Sequence, residues 1–183
     1  MQMHSKRDTL TGVPEGDGTD AMRVLAAATG GAVLLVCWSD DSLRCVLRCD
    51  PPPQPLAIPQ TDPSMLLPGT EALLHVLLAW APPDALDRRL SRLERAPVAV
   101  RNRAILALRL ARVRAVGHDL VTGGLRDEVT SIAAPIRDDD GDVVAGLALV
   151  APSVYLEDLD LQTVAADLRR QAADRRTWAA MAD

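Results

Sequence analysis

Three histidines, three cysteines, one dense acidic run and one arginine-rich stretch are the places where this chain could do chemistry. His4, His75 and His118 lie too far apart for any two to share a helix face three or four residues apart, so no metal pair is set up. Gly117-His118-Asp119 puts an imidazole beside a carboxylate, but no GxSxG nucleophile turn accompanies it, and its reading is structural. Cys37, Cys45 and Cys49 are odd in number and form no CxxC, which gives neither a disulfide framework nor a zinc site. Nothing beside them lowers a thiol pKa, so they read as small core hydrophobes. The acidic run Asp138–Asp142 contains Gly141. A calcium loop with that glycine at its sixth position would need oxygen ligands at Ile136 and Leu147, which have none. The run reads as a solvated hairpin turn. No catalytic residue, metal ligand or cofactor is assigned.

The basic residues are just as selective. Lys6 is the one lysine among 20 Lys and Arg, and the chain has no Phe. A P-loop or a Schiff-base enzyme needs a placed Lys amine, which a polar terminal stretch does not supply. Aromatic residues make up 2%, too few for base-stacking platforms. The net charge is −5, yet residues 84–114 carry nine Arg against Asp84, Asp87 and Glu94, a local +6 that leaves −11 for the remainder. Arg101, Arg109 and Arg112 could share one face of a DNA-binding helix within Arg88–Arg114. The alternative is a solvated face whose arginines pair with acids elsewhere, and the acidic total favours it. With no apolar signal segment and no run long enough for a membrane span, the expected setting is cytoplasmic.

The elements that would position these residues follow from hydrophobic period and breakers. Residues 1–19 are polar and glycine-rich and are expected to be a disordered tail, with one domain over 20–183. Thr19 or Asp20 can cap a helix over Ala21–Ala28 that Gly30-Gly31 ends. Ala32–Trp38 is apolar on both faces, as a central strand should be. Leu43–Cys49 alternates, with Leu43, Cys45, Leu47 and Cys49 on one side. A two-residue turn at Asp40-Asp41 pairs the two segments as a hairpin and sets Cys37 against Arg44. Residues 50–63 hold six prolines and read as a loop with a short edge strand near Leu56–Ile58. Helices are expected over Glu71–Trp80, Asp84–Arg95 and Arg101–Val116, the last closed by Gly117. Val129–Ile136 and Val143–Val150 form a second hairpin, and a long helix follows from about Asp158. Strands at both ends around a helical middle predict an α+β domain: an antiparallel sheet with helices packed on it.

The segment from Val113-Arg114-x-x-Gly117 through Val129-Thr130-Ser131-Ile132-Ala133-Ala134-Pro135-Ile136-Arg137-Asp138 to Val143–Pro152 resembles the effector-binding domain of IclR-type transcriptional regulators. The likeness runs without a gap from Gly117 to Pro152 and more loosely over residues 20–176. It implies a GAF-like fold, a curved antiparallel sheet with helices on both faces and a small-molecule pocket on one of them. It also implies a regulatory, non-enzymatic role, a homodimer or homotetramer, and no membrane contact. DNA would be met only through a winged helix-turn-helix domain absent from this chain, since residues 1–19 are too few to form one. The family's polar pocket positions fall here on Ser131, Val121, Ala148 and Val150, so one polar group of four remains. A glutamate pair becomes Gly123-Gly124, and a helix glycine becomes Leu74. The implied effector-binding residues are Ser131 as the polar contact, Val121, Ala148 and Val150 as lining, and Leu74 and Thr70 near the rim. A carboxylate there would lose its charge-assisted partners, so a small apolar effector is expected. The competing expectation is a dimerising interaction module that has lost both DNA reading and effector binding.

Overall fold

The computed structural model describes residues 17–52, 69–93, 103–123 and 128–178. Its elements are helix α1 (Asp17–Thr29), strands β1 (Ala32–Ser39) and β2 (Ser42–Cys49), helices α2 (Glu71–Ala79), α3 (Pro83–Leu93) and α4 (Arg103–Val116), strands β3 (Asp119–Thr122), β4 (Val129–Arg137) and β5 (Val143–Pro152), and helices α5 (Leu161–Ala172) and α6 (Arg175–Trp178). A short 3-10 turn over Ser153–Leu156 joins β5 to α5. The five strands form one antiparallel sheet in the order β2-β1-β5-β4-β3. Each face buries its own core. Leu34, Val36, Trp38, Ala133, Ala148 and Val150 meet α2, α3 and α4 on one side. Val33, Leu35, Cys37, Ile132, Ala134, Leu147 and Leu149 meet α1, α5 and α6 on the other. Strands β1, β4 and β5 are apolar on both faces because both faces are covered. The expected α+β sheet with helices on both faces is the observed architecture.

The first hairpin turns through Asp40 and Asp41, with φ of 48° and 59°, and pairs Ser39 with Ser42. Two successive left-handed residues match the twist of the flanking strands, and Asp tolerates that conformation. Cys37 pairs with Arg44, as the two-residue turn requires.

Two expectations about elements are corrected. The register slips between Leu35 and Val36, which face Leu47 and Cys45, so Val46 is an extra residue in β2. Leu43 therefore packs with the α2 side, while Val46, Leu47 and Cys49 turn to the α1 side. β2 is an edge strand, where a bulge breaks no second ladder. Cys45 is exposed and only Cys37 and Cys49 are buried. Helix α1 starts at Asp17, placing Thr19 and Asp20 inside it. Tertiary packing carries the extension, since a Cβ on Gly18 would lie 3.0 Å from the Thr177 carbonyl and 3.2 Å from the Trp178 ring. Between Gly117 and β4 lies the edge strand β3, which opens with a buried aspartate. The expected edge strand near Leu56–Ile58 and the tail at residues 1–16 lie outside the described residues.

Helix α5 begins where an N-cap dictates. Asp160 accepts from the Gln162 N–H at 3.0 Å and the Thr163 hydroxyl at 2.6 Å. Asp160→Ala is expected to cost about 1 kcal/mol. Urea melts check this as a lowered midpoint at unchanged slope.

Candidate functional site

The face of the sheet under α2 is built in rows. Side chains alternate along a strand, so Val129, Ser131 and Ala133 of β4 all point to the α2 side. Across the sheet Val121 pairs with Ser131 and Ser131 with Val150, which makes one row. The next row is Asp119, Ala133 and Ala148, followed by Leu34. The positions expected to bind an effector thus share one face. Ala148, Val150 and Leu74 belong to its core, Val121 packs against that core, and Ser131 and Thr70 are buried.

Small residues bring α2 close to this floor. A Cβ on Gly146 would come within 2.5 Å of the Leu73 Cδ1. A Cβ on Gly69 would meet Val129 at 2.6 Å and Val150 at 2.9 Å, so the start of α2 rests on the two valines that flank Ser131. Ser131 is 1% exposed, and its Oγ has no hydrogen-bond partner among the described residues. A hydroxyl desolvated without a partner is a standing cost, of about 1–3 kcal/mol by mutational measures.

One polar cluster on this face went unnoticed in the sequence. Asp119, 2% exposed, accepts from His75 Nδ1 at 2.7 Å and from Arg109 Nε at 2.9 and 3.0 Å. The carboxylate can only accept, so His75 carries its proton on Nδ1. Arg109 Nη2 also donates to the Leu120 carbonyl at 2.6 Å. Burial pushes the Asp119 carboxyl up, but the hydrogen bonds from His75 and Arg109 and the Arg109 charge outweigh it, and the group is held below its ordinary value. The cluster ties β3 to both α2 and α4. The family likeness placed an acid's position at Val121. The acid stands two residues earlier, on the same face of the same strand.

This cluster also removes Arg109 from the surface face imagined for DNA. Arg103 pairs with Asp87, Arg88 with Asp41 and Asp84, and Arg114 donates to the Ala79 carbonyl. Arg101 lies outside the described residues. The arginine-rich stretch is largely spent on internal partners. Burial pushes the Cys45 and Cys49 thiols up, which opposes a thiolate role. Among the described residues no three His, Cys, Asp or Glu gather as a metal site. No described helix is long and apolar enough to cross a membrane.

The sequence profile of the bacterial transcriptional regulator IclR C-terminal domain matches residues 19–176. The chain belongs to the IclR family. Solved structures repeat the fold. A protein from Rhodococcus sp. RHA1 described as a transcriptional regulator superposes at a TM-score of 0.75 with 24% identity, over 94% of this chain and 70% of that one. An IclR transcriptional regulator from a Silicibacter species gives 0.72 with 23% identity, over 89% of this chain and 64% of that one. The C-terminal domain of the E. coli transcriptional regulator KdgR gives 0.66 with 25% identity, over 91% of this chain and 97% of that domain. The chain therefore spans under two thirds of the Silicibacter protein and nearly all of the KdgR domain. No curated protein sequence matches it. IclR C-terminal domains are regulatory domains of transcription factors and not enzymes.

Proposed function

We propose that this IclR domain is a cytoplasmic sensor that takes a small apolar effector at Ser131, between the sheet and the first turn of α2. The observation that carries the proposal is the buried Ser131 hydroxyl without a partner among the described residues, on a face shared with Val121, Ala148 and Val150. An effector with one polar atom satisfies that hydroxyl and leaves the remaining surface in apolar contact. Thr70 and Leu74 ride on the start of α2, so occupancy at Ser131 shifts α2, and through His75 and Asp119 it shifts β3 and α4. A free carboxylate fits poorly, because Arg109 is already bound to Asp119 in the next row.

Thermal shift against short aliphatic alcohols, ketones and esters, with the matching carboxylic acids, tests the proposal. Saturation at a hundred times Kd stabilises by about 2.7 kcal/mol, which raises Tm by roughly 5–10 °C in a domain of this size. Ser131→Leu and Ser131→Arg block the site and abolish the gain. If no compound raises Tm, or if the blocked variants respond as the parent does, the sensor proposal fails.

A second reading, self-association through α4, rests on a separate observation. Ile105 and Leu108 on α4 are 65% and 74% exposed, and Ala104, Ala111 and Ala115 extend the same outward surface. An apolar helix surface of this kind marks an interface. Its occupant is a second copy: α4 carries no acid, Arg103, Arg109 and Arg114 have partners within the chain, and exposed Arg112 is the charge that two crossing α4 helices must keep apart. Leu108→Glu is expected to convert a dimer to a monomer by light scattering. Retention of the dimer would move the interface elsewhere.

A further inference from the structure

A cavity of about 160 Å³ lies at the end of the sheet away from Ser131. It sits beside the two hairpin turns, six residues along β4 from Ser131, or about 20 Å. Trp38 of β1 and Trp80 after α2 line it, with Leu77 and Val143 beneath and Pro82, Ala85, Arg88, Arg89, Asp84 and Asp142 around it. The chain has three Trp, one Tyr and no Phe, so two thirds of its indoles are gathered at one small cavity.

Each indole carries a stacked cation, Arg89 within the cavity wall and Arg137 outside it. The Arg89 guanidinium lies 4.3 Å from the Trp38 ring centre and that of Arg137 lies 4.5 Å from Trp80. These stacks fix each ring and leave its cavity-facing atoms for a planar guest. The Trp38 N–H is already spent on the Leu77 carbonyl at 3.3 Å, so the ring contributes apolar surface and not a donor. Polar recognition falls to Arg88. Its Nε donates to Asp41 at 2.9 Å and its Nη1 to Asp84 at 2.9 Å. Asp84 is 74% exposed, and such a surface pair is weak and readily exchanged for a better acceptor. Arg88 can then meet an incoming carboxylate while Asp41 keeps it in place.

We infer that this cavity binds a small planar aromatic carboxylate, its ring against Trp38 and Trp80 and its carboxylate on Arg88. The site is separate from Ser131 in position and in chemistry, one apolar and the other aromatic with two arginines and two aspartates in its wall.

The three indole N–H signals in a nitrogen-15 spectrum of the full chain give the readout. The probes are benzoate and indole-3-carboxylate, with indole lacking the charge and cyclohexanecarboxylate lacking the aromatic ring. The carboxylated aromatics are expected to shift the Trp38 and Trp80 signals with a Kd of about 1 mM or tighter, and to leave buried Trp178 unmoved. Cyclohexanecarboxylate shifts neither. Arg88→Ala weakens the aromatic carboxylates about tenfold or more and indole little. Ser131→Leu leaves the response unchanged, which separates this cavity from the α2 site. No shift, equal shifts in all three indoles, an unaffected Arg88→Ala protein, or loss of the response in Ser131→Leu would each overturn the inference.

Discussion

Asp119→Ala is expected to destabilise the domain by about 3–5 kcal/mol, because it leaves the Arg109 charge without its carboxylate. In a domain of this length that lowers Tm by roughly 6–20 °C. The effect is large because three elements lose a shared partner at once: β3 carries the acid, α2 carries His75 and α4 carries Arg109. Asp119→Asn is expected to fall between the two proteins, since the amide oxygen still accepts a hydrogen bond without neutralising Arg109. The pH dependence follows from the depressed carboxyl. A carboxyl whose folded pKa is below its unfolded value stabilises the fold above that unfolded value, 3.8 here, and the contribution is lost as pH falls through the lower folded value. The stability gap between the parent and Asp119→Ala therefore narrows below about pH 4. Urea melts across that range check both parts. A loss under about 1 kcal/mol at neutral pH would mean the cluster is not the tie described here.

Gly69→Ala is expected to be the second costly change, and the one that reaches the site most directly. The residue has φ of +90°, where a side chain costs about 1–2 kcal/mol. Its Cβ would also run into Val129 and Val150 at 2.6 and 2.9 Å, an overpacking cost of about 1–3 kcal/mol. Gly141→Ala separates the two terms. It has φ of +86° but nothing within 4 Å of the added carbon, so it carries the conformational cost alone. The difference between the two variants is the steric part. Because that part lifts the start of α2 from the valines beside Ser131, Gly69→Ala is also expected to change effector-dependent stabilisation, and Gly141→Ala is not. Equal losses in the two variants would show that α2 yields freely at this point.

Much of the fold could be seen in the sequence wherever local chemistry and tertiary packing agree. Asp40-Asp41 and Asp140-Gly141 mark hairpins because only certain residues accept the turn conformations, and the Cys37–Arg44 register follows from counting outward from the first. Ser131, Val121, Ala148 and Val150 share a face for the same reason of counting, since strand side chains alternate and the register is fixed by the hairpin. What stayed hidden depends on partners distant in sequence. The Val46 bulge answers to two helical layers that claim opposite faces of β2, and nothing in the clean alternation of Leu43–Cys49 reports that. Strand β3 begins with a buried acid that only Arg109 and His75 make tolerable, and they sit 10 and 44 residues away. Arg109 looked like a surface cation for the same reason. Its acceptor, Asp119, opens a four-residue strand ten residues further on.

The central claim is that the fold keeps the Ser131 hydroxyl unpaired for a ligand, and Ser131→Ala measures it most directly. In the ligand-free protein the alanine removes a buried unsatisfied group, and stability by urea melts is expected to rise by about 1 kcal/mol. With an effector that stabilises the parent, the variant is expected to gain less by the value of one hydrogen bond, about 0.5–1.5 kcal/mol. If Ser131→Ala instead destabilises the free protein by about 1 kcal/mol or more, while ligand-dependent stabilisation is unchanged, then the hydroxyl already serves the fold and the effector does not bind at Ser131.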